Sequence, residues 1–135
     1  MSSGPENRFI ASIHRLLPPG VYATKNHNPY NAGIADCWYS TVGGDLWVEY
    51  KYLELPKRPD TLVDLCSGKN PPITRLQQEW LKARDQEGRS VCVVIGTADG
   101  GIWLPGVSWN TPRRADIMRG LIQPKKSIAL AIANR

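Results

Sequence analysis

Cysteine is scarce in this chain: there are three, Cys37, Cys66 and Cys92, odd in number and widely spaced, with no C-x-x-C pair. A disulfide framework and a cysteine-built zinc site are both excluded, and a reducing cytoplasm is the expected home. Histidine is scarcer still. His14 and His27 stand apart, without the cluster that a histidine-ligated zinc centre needs. The longest purely apolar run, Ile128 to Ala133, falls far short of the roughly 20 residues of a membrane span, and no apolar stretch follows Met1. A soluble, unexported protein is expected. The paired glycines Gly43-Gly44 and Gly100-Gly101 lack the lysine and the strand-to-helix setting of a phosphate-binding loop, so they read as turns.

What is present is an ordinary folding unit. With 135 residues, 15.0 kDa, 41% hydrophobic residues and 21% charged, the chain is long enough for one domain with one modest core and too short for a second catalytic domain. Seventeen Lys and Arg against twelve Asp and Glu give a net charge of +5 and a pI near 9.3, which favours a polyanionic partner.

The apolar pattern sets out the elements. Phe9, Ile10, Ile13, Leu16 and Leu17 recur at helical period after a capping-box spacing, Ser3-Gly-Pro-Glu6, and Pro18-Pro19-Gly20 ends the helix, which is predicted over 4–17. A short strand, 21–25, and an Asn-rich loop, 26–33, follow. Two strands dense in Trp, Tyr and Val, 35–41 and 45–53, flank Gly43-Gly44 and predict a hairpin. Residues 54–72 carry four prolines and no period, the mark of a surface loop. Thr74-Arg-Leu-Gln77 opens a second helix with Leu76, Trp80, Leu81 and Ala83 on its apolar side. Ser90 to Gly96 is a continuous apolar run, as in a strand covered on both faces and central in the sheet, and a further strand, 101–104, follows the Asp99-Gly100-Gly101 turn. Thr111-Pro112 and Pro124 each start a final helix. The order α-β-β-β-α-β-β-α-α implies a mixed α/β (α+β) fold, a central mixed sheet flanked by helices, within a single domain 1–135 whose core is 4–105 and whose helical extension is 106–135.

Chemistry concentrates in Gly33-Ile-Ala-Asp36 and Val48-Glu49-Tyr50-Lys51. With Gly43-Gly44 as the turn, Asp36 lies opposite Lys51 and diagonal to Glu49 on one sheet face. Carboxylates at a diagonal spacing of about 7–8 Å can be drawn together by a divalent cation. Two carboxylates, a metal and a lysine suit phosphodiester hydrolysis, the metal activating water while Lys51 orients it or offsets charge. The plainer reading makes Glu49 and Lys51 outward residues of an amphipathic strand. Glu6 shares a helical face with Ile10, Ile13 and Leu17 and so points at the sheet, although it is also the N3 member of the capping box. Among basic groups, Lys25 and His27 lie in the loop that leads into Asp36. Lys57, Arg58 and Lys69 belong to the long loop, and Tyr30 is an aromatic for a splayed base; these are the candidate nucleic-acid contacts.

A glutamate in the first helix, G-x-x-D opening a strand, E-x-K in the next and a glutamine in the following helix resemble the PD-(D/E)XK nuclease superfamily. The likeness is to small VRR-NUC-type and Holliday-junction-resolvase-like enzymes of the kind phages encode. It runs from Glu6 to about Gly96, and Ala35 stands where the superfamily name has proline. The resemblance implies a restriction-endonuclease-like core and a Mg2+- or Mn2+-dependent endodeoxyribonuclease acting on branched or junction DNA. Asp36, Glu49 and the main-chain carbonyl of Tyr50 would bind metal, with Glu6 as an accessory carboxylate. Lys51 would be the catalytic lysine, and Gln77 would approach from the second helix, a residue its capping box explains equally well. A junction substrate implies a homodimer, and a phage origin would place the protein in the cytoplasm of a bacterial host. The alternative is a catalytically inactive module of the same fold that binds nucleic acid or a host protein.

Overall fold

The computed structural model describes residues 4–26 and 33–134. Helix α1 (Pro5–Leu16) leads to β1 (Tyr22–Lys25), then to the hairpin of β2 (Cys37–Thr41) and β3 (Gly44–Tyr52). A two-residue strand β4 (Leu62–Val63) precedes α2 (Arg75–Gln86), which feeds the hairpin β5 (Val91–Thr97) and β6 (Gly100–Pro105). A 3-10 turn (Ser108–Asn110), β7 (Arg113–Arg114), α3 (Ala115–Gly120) and α4 (Lys125–Ala133) complete the chain. The main sheet has the order β1-β2-β3-β5-β6, with β3 and β5 parallel and every other pair antiparallel. It is the expected mixed sheet flanked by helices.

Strand alternation assigns the two faces. Cys37, Tyr39, Leu46, Val48, Tyr50, Cys92 and Val94 pack under α1 and α4, against Phe9, Ile10, Ile13, Ile128 and Ile132. Val91, Val93 and Ile95 face the other way, with Leu65, Ile73, Leu81, Trp109 and Met118. All seven residues of β5 are buried, as its unbroken apolar run requires, but the middle position of the sheet belongs to β3. Cys37 and Cys92 are buried core residues and Cys66 is partly buried. Residues 106–134 contribute to both cores, through Trp109, Ala115 and Met118 on one face and Ile128, Ala129 and Ile132 on the other.

Several expectations are corrected. The hairpin turns at Val42-Gly43, because Thr41 pairs with Gly44 and its hydroxyl bonds both the Gly43 N–H and the Gly44 carbonyl. Gly44 itself takes φ +118°, a value that suits glycine. Cys37 therefore faces Val48 and Trp38 faces Trp47, and the same register carried one step further sets Asp36 against Glu49 rather than Lys51. Helix α1 has Gly4 as its N-cap with no side-chain cap bond, which leaves Glu6 outside a capping box; Ser3 lies outside the described residues. The 54–72 segment is more than surface loop. Its β4 pairs with β7, and Leu65 is buried, its carbonyl accepting from the Ile73 N–H at 2.9 Å. Thr111 ends the 3-10 turn instead of capping a helix, since Arg113-Arg114 is drawn into that ladder and α3 starts only at Ala115. His14 is half-buried, its Nε2 2.8 Å from the Tyr39 hydroxyl.

Phe9 of α1 packs closely on Gly96 of β5, where a Cβ would lie 2.7 Å from Phe9 Cγ. Gly96→Ala should therefore overpack the Phe9 contact and destabilise the protein by about 1–3 kcal/mol. Urea unfolding checks this, and an unchanged midpoint would contradict it.

Candidate active site

The E-x-K strand is buried unevenly, and that sets the site. On β3, Leu46, Val48 and Tyr50 turn into the α1/α4 core, while Trp47, Glu49, Lys51 and Leu53 turn to the other face. Glu49 is 1% exposed, between apolar neighbours, with Lys51 Nζ 3.3 Å from its Oε2. Its Oε1 is buried without a hydrogen-bond partner. Burial, and then the charge of Asp36, push the Glu49 carboxyl up to about 8, against the opposing pull of Lys51.

Asp36 lies just before β2, and its Oδ2 accepts from the Tyr50 N–H at 2.9 Å. The bond follows from the ladder. The Trp47 N–H bonds the carbonyl of Ser90, just before β5, and the Leu53 N–H that of Gly96 on β5, so alternation along β3 turns the main chain of Tyr50 the other way, towards the Asp36 segment. Asn26 fixes that segment from β1: its N–H bonds the Asp36 carbonyl (2.7 Å) and its amide bonds the Ala35 carbonyl (3.0 Å). Gly33 of the G-x-x-D stretch has a different duty. A Cβ there would lie 2.7 Å from the Leu76 carbonyl oxygen of α2, so glycine lets the chain pass against helix backbone on its way to Asp36.

Glu6 joins this group from the first turn of α1. It is half-buried, and its carboxyl is raised first by burial and then by Asp36, with Lys51 and Lys25 acting in the opposite sense. Lys25 is held by Asn7, whose side-chain oxygen accepts from its ammonium. Asp36, Glu49, Lys51, Glu6 and Lys25 thus form one interacting set at the end of the sheet where α1 begins. Gln77 closes the start of α2: its Oε1 accepts from the Thr74 N–H (2.9 Å) while Thr74 Oγ1 accepts from its own N–H (3.2 Å), a complete capping box. Lys57 and Lys69 border separate cavities, Lys57 beside Tyr52 and Lys69 beside Arg75 at the start of α2, and Arg58 is exposed. His27 and Tyr30 lie outside the described residues.

Sequence reading missed Asn26 and the hydroxyl chain behind the site, in which Tyr50 Oη lies 2.7 Å from Tyr39 Oη and the latter 2.8 Å from His14 Nε2. The alternation of β2 and β3 carried a signal for Tyr39 and Tyr50, but the partner on α1 is a tertiary fact. Among the described residues no group of three or more His, Cys, Asp and Glu side chains is gathered to hold a metal. What the site does offer is hard oxygen donors, one of them orphaned, beside a cation.

No protein-family model matches the chain, and no curated protein matches it in sequence. Among solved structures, Hjc, a Holliday junction resolvase of the archaeal hyperthermophile Archaeoglobus fulgidus, matches 94% of this chain and 97% of its own, with a TM-score of 0.54 and 13% identity. The two chains share a fold.

Because the carboxyl of Glu49 is raised in the folded protein from its ordinary 4.5 to about 8, the folded state holds that proton more tightly than the unfolded chain does. The stability this gives is complete below pH 4.5 and is lost as pH rises through 8. In EDTA, the melting temperature should fall between pH 5 and pH 9, and Glu49→Gln should fall less, exceeding the parent at pH 9 by about 5 °C. Parallel melting curves for the two proteins would show that Glu49 is not the titrating group.

Proposed function

We propose that this chain is a divalent-metal-dependent DNA endonuclease that selects branched or junction DNA. The observation that carries the reading is the buried carboxyl of Glu49, with one oxygen unpartnered, set beside Asp36 and Lys51, to which Glu6 comes in from α1. A folded protein tolerates an unpaired buried carboxyl oxygen at a cost of a few kcal/mol, and a binding module has no need of one. Support for the substrate class comes from the fold shared with a Holliday junction resolvase, together with the net charge of +5. So small a chain has few elements to spare for base readout, which suits recognition through shape and phosphates.

The donor set fits Mg2+ or Mn2+, which favour oxygen and keep several positions for water and substrate phosphate. Asp36, Glu49 and the Tyr50 carbonyl would hold the ion, with Glu6 alongside. When bound, the ion would polarise the phosphoryl oxygen and ease deprotonation of water. The protein's own groups do the rest. The Tyr50 N–H fixes the orientation of Asp36, and the Asn26 bonds hold its backbone. Lys51, tethered at Glu49, presents its ammonium to orient water and offset charge as the phosphate reacts. Gln77, at the start of α2, completes the proposed set from the second helix. Lys25, His27, Lys57, Arg58 and Lys69 would follow the phosphate backbone, with Tyr30 against a splayed base. On a four-way junction a homodimer would bring two such sites to two strands.

A supercoiled plasmid and a synthetic four-way junction, incubated with Mg2+ or Mn2+ beside EDTA controls, test the proposal. Nicking should require the metal and drop about 100-fold or more in Lys51→Ala. Tight binding with no product in either metal would instead identify an inactive module. Calorimetric titration with Mn2+ should show binding that disappears in Asp36→Asn, and superimposable titrations would remove Asp36 from the metal site.

A further inference from the structure

Two cavities meet at the end of the sheet beside the carboxylate site. One, of 370 Å³, is bordered by Lys57 and Arg119 and also by the acidic Glu54 and Asp99. The other, of 280 Å³, lies along α1 and is bordered by Arg8, Arg15 and Lys125, with no acidic residue on its wall. Both share Tyr52, Thr97 and Ala98, so they are two halves of one groove. Pro5, next to Glu6 on α1, borders the second half, and Tyr52 follows Lys51 on β3, so the groove lies along the same end of the sheet as the carboxylate site.

Packing fixes its walls. Phe9 is wedged against Gly96 and Gly101, where a Cβ at either position would crowd its ring. On that ring Tyr52 stands edge-on, with centroids 6.3 Å apart, and Lys125 Nζ lies 5.6 Å from its centre. Tyr52 is half-buried and lines both cavities, an aromatic surface in the wall that Arg8, Arg15 and Lys125 also line. Arg119 is anchored by its 2.6 Å bond to the Pro56 carbonyl. Cations in a row beside a fixed aromatic are the elements of a single-strand track, in which phosphates follow the charge and a base stacks on the ring. The charge is divided accordingly. The cationic half suits phosphate, and the mixed half, with donors and acceptors of both signs, suits a base edge.

We propose that this groove holds an unpaired DNA strand leading away from the carboxylate site, with its phosphates against Arg8, Arg15 and Lys125 and a base against Tyr52. The inference rests on the nuclease reading and refines its substrate: a branched molecule with a single-stranded segment at the branch. Binding is measured by fluorescence anisotropy in EDTA, with a labelled single-stranded oligonucleotide and the blunt duplex of the same sequence. Tyr52→Leu should weaken single-strand binding about tenfold and leave duplex binding unchanged. The double variant Arg15→Gln/Lys125→Gln should make the single-strand salt dependence shallower, by about 1.4 in the log–log slope. Thermal melts establish that both variants fold. Folded variants that bind single strands as the parent does would overturn the groove, as would equal losses on duplex and single strand in Tyr52→Leu. Parent nicking of the junction, run in parallel, separates the two ideas. Nicking with unaltered variant binding refutes the groove alone, whereas weakened variant binding without nicking refutes the nuclease and keeps the groove.

Discussion

Glu49 lies on the middle strand of the sheet, almost wholly out of water, and most of the site's architecture answers to that burial. An isolated carboxylate in such a place is costly enough that it either keeps its proton or finds a cation. Lys51, two residues on and on the same face, meets one oxygen; the other has no partner. Asp36 comes up against the same group from the neighbouring strand and works against ionisation. The site therefore gathers the carboxyl groups of Asp36, Glu49 and Glu6, and the buried Glu49 holds its proton up to about 8, a place that a divalent cation would take in the proton's stead.

The same strand serves the core with its other face. Val48 and Tyr50 are fully buried beneath α1, and the Tyr50 hydroxyl continues through Tyr39 to His14 on that helix. Fixing Tyr50 in this way also fixes its main chain, whose N–H holds Asp36. A chain of contacts thus runs from the α1 core, through the backbone of β3, to a carboxylate on the far side of the sheet. Close approaches at Gly96 and Gly33 permit it: one admits Phe9 to the sheet, the other admits the Asp36 segment to α2.

The two hairpin registers differ in consequence less than they differ in pairing. Placing the turn at Gly43-Gly44 instead of Val42-Gly43 moves every partner by two positions, and because side chains alternate with period two, faces are preserved. Asp36, Glu49 and Lys51 remain on one face in either register, though the direct partner of Asp36 becomes Glu49. A slip of one residue would have sent them to opposite sides.

Local pattern was therefore enough for the element order from α1 to β6 apart from β4, the two-sided burial of β5, the capping box of α2 and the shared face of the E-x-K strand, since each depends on neighbours in sequence. Only the folded chain could decide the rest. The burial of Glu49 depends on apolar groups from β5 and from the segments around α2; the approach of Glu6 depends on where α1 meets the sheet; and β4 pairs with β7 across a long stretch of sequence. Arg113-Arg114 became strand because an edge was waiting for it, against a local signal for helix. Periodicity records which way a side chain faces, whereas its solvation and its charged neighbours are set by segments that sequence order keeps apart.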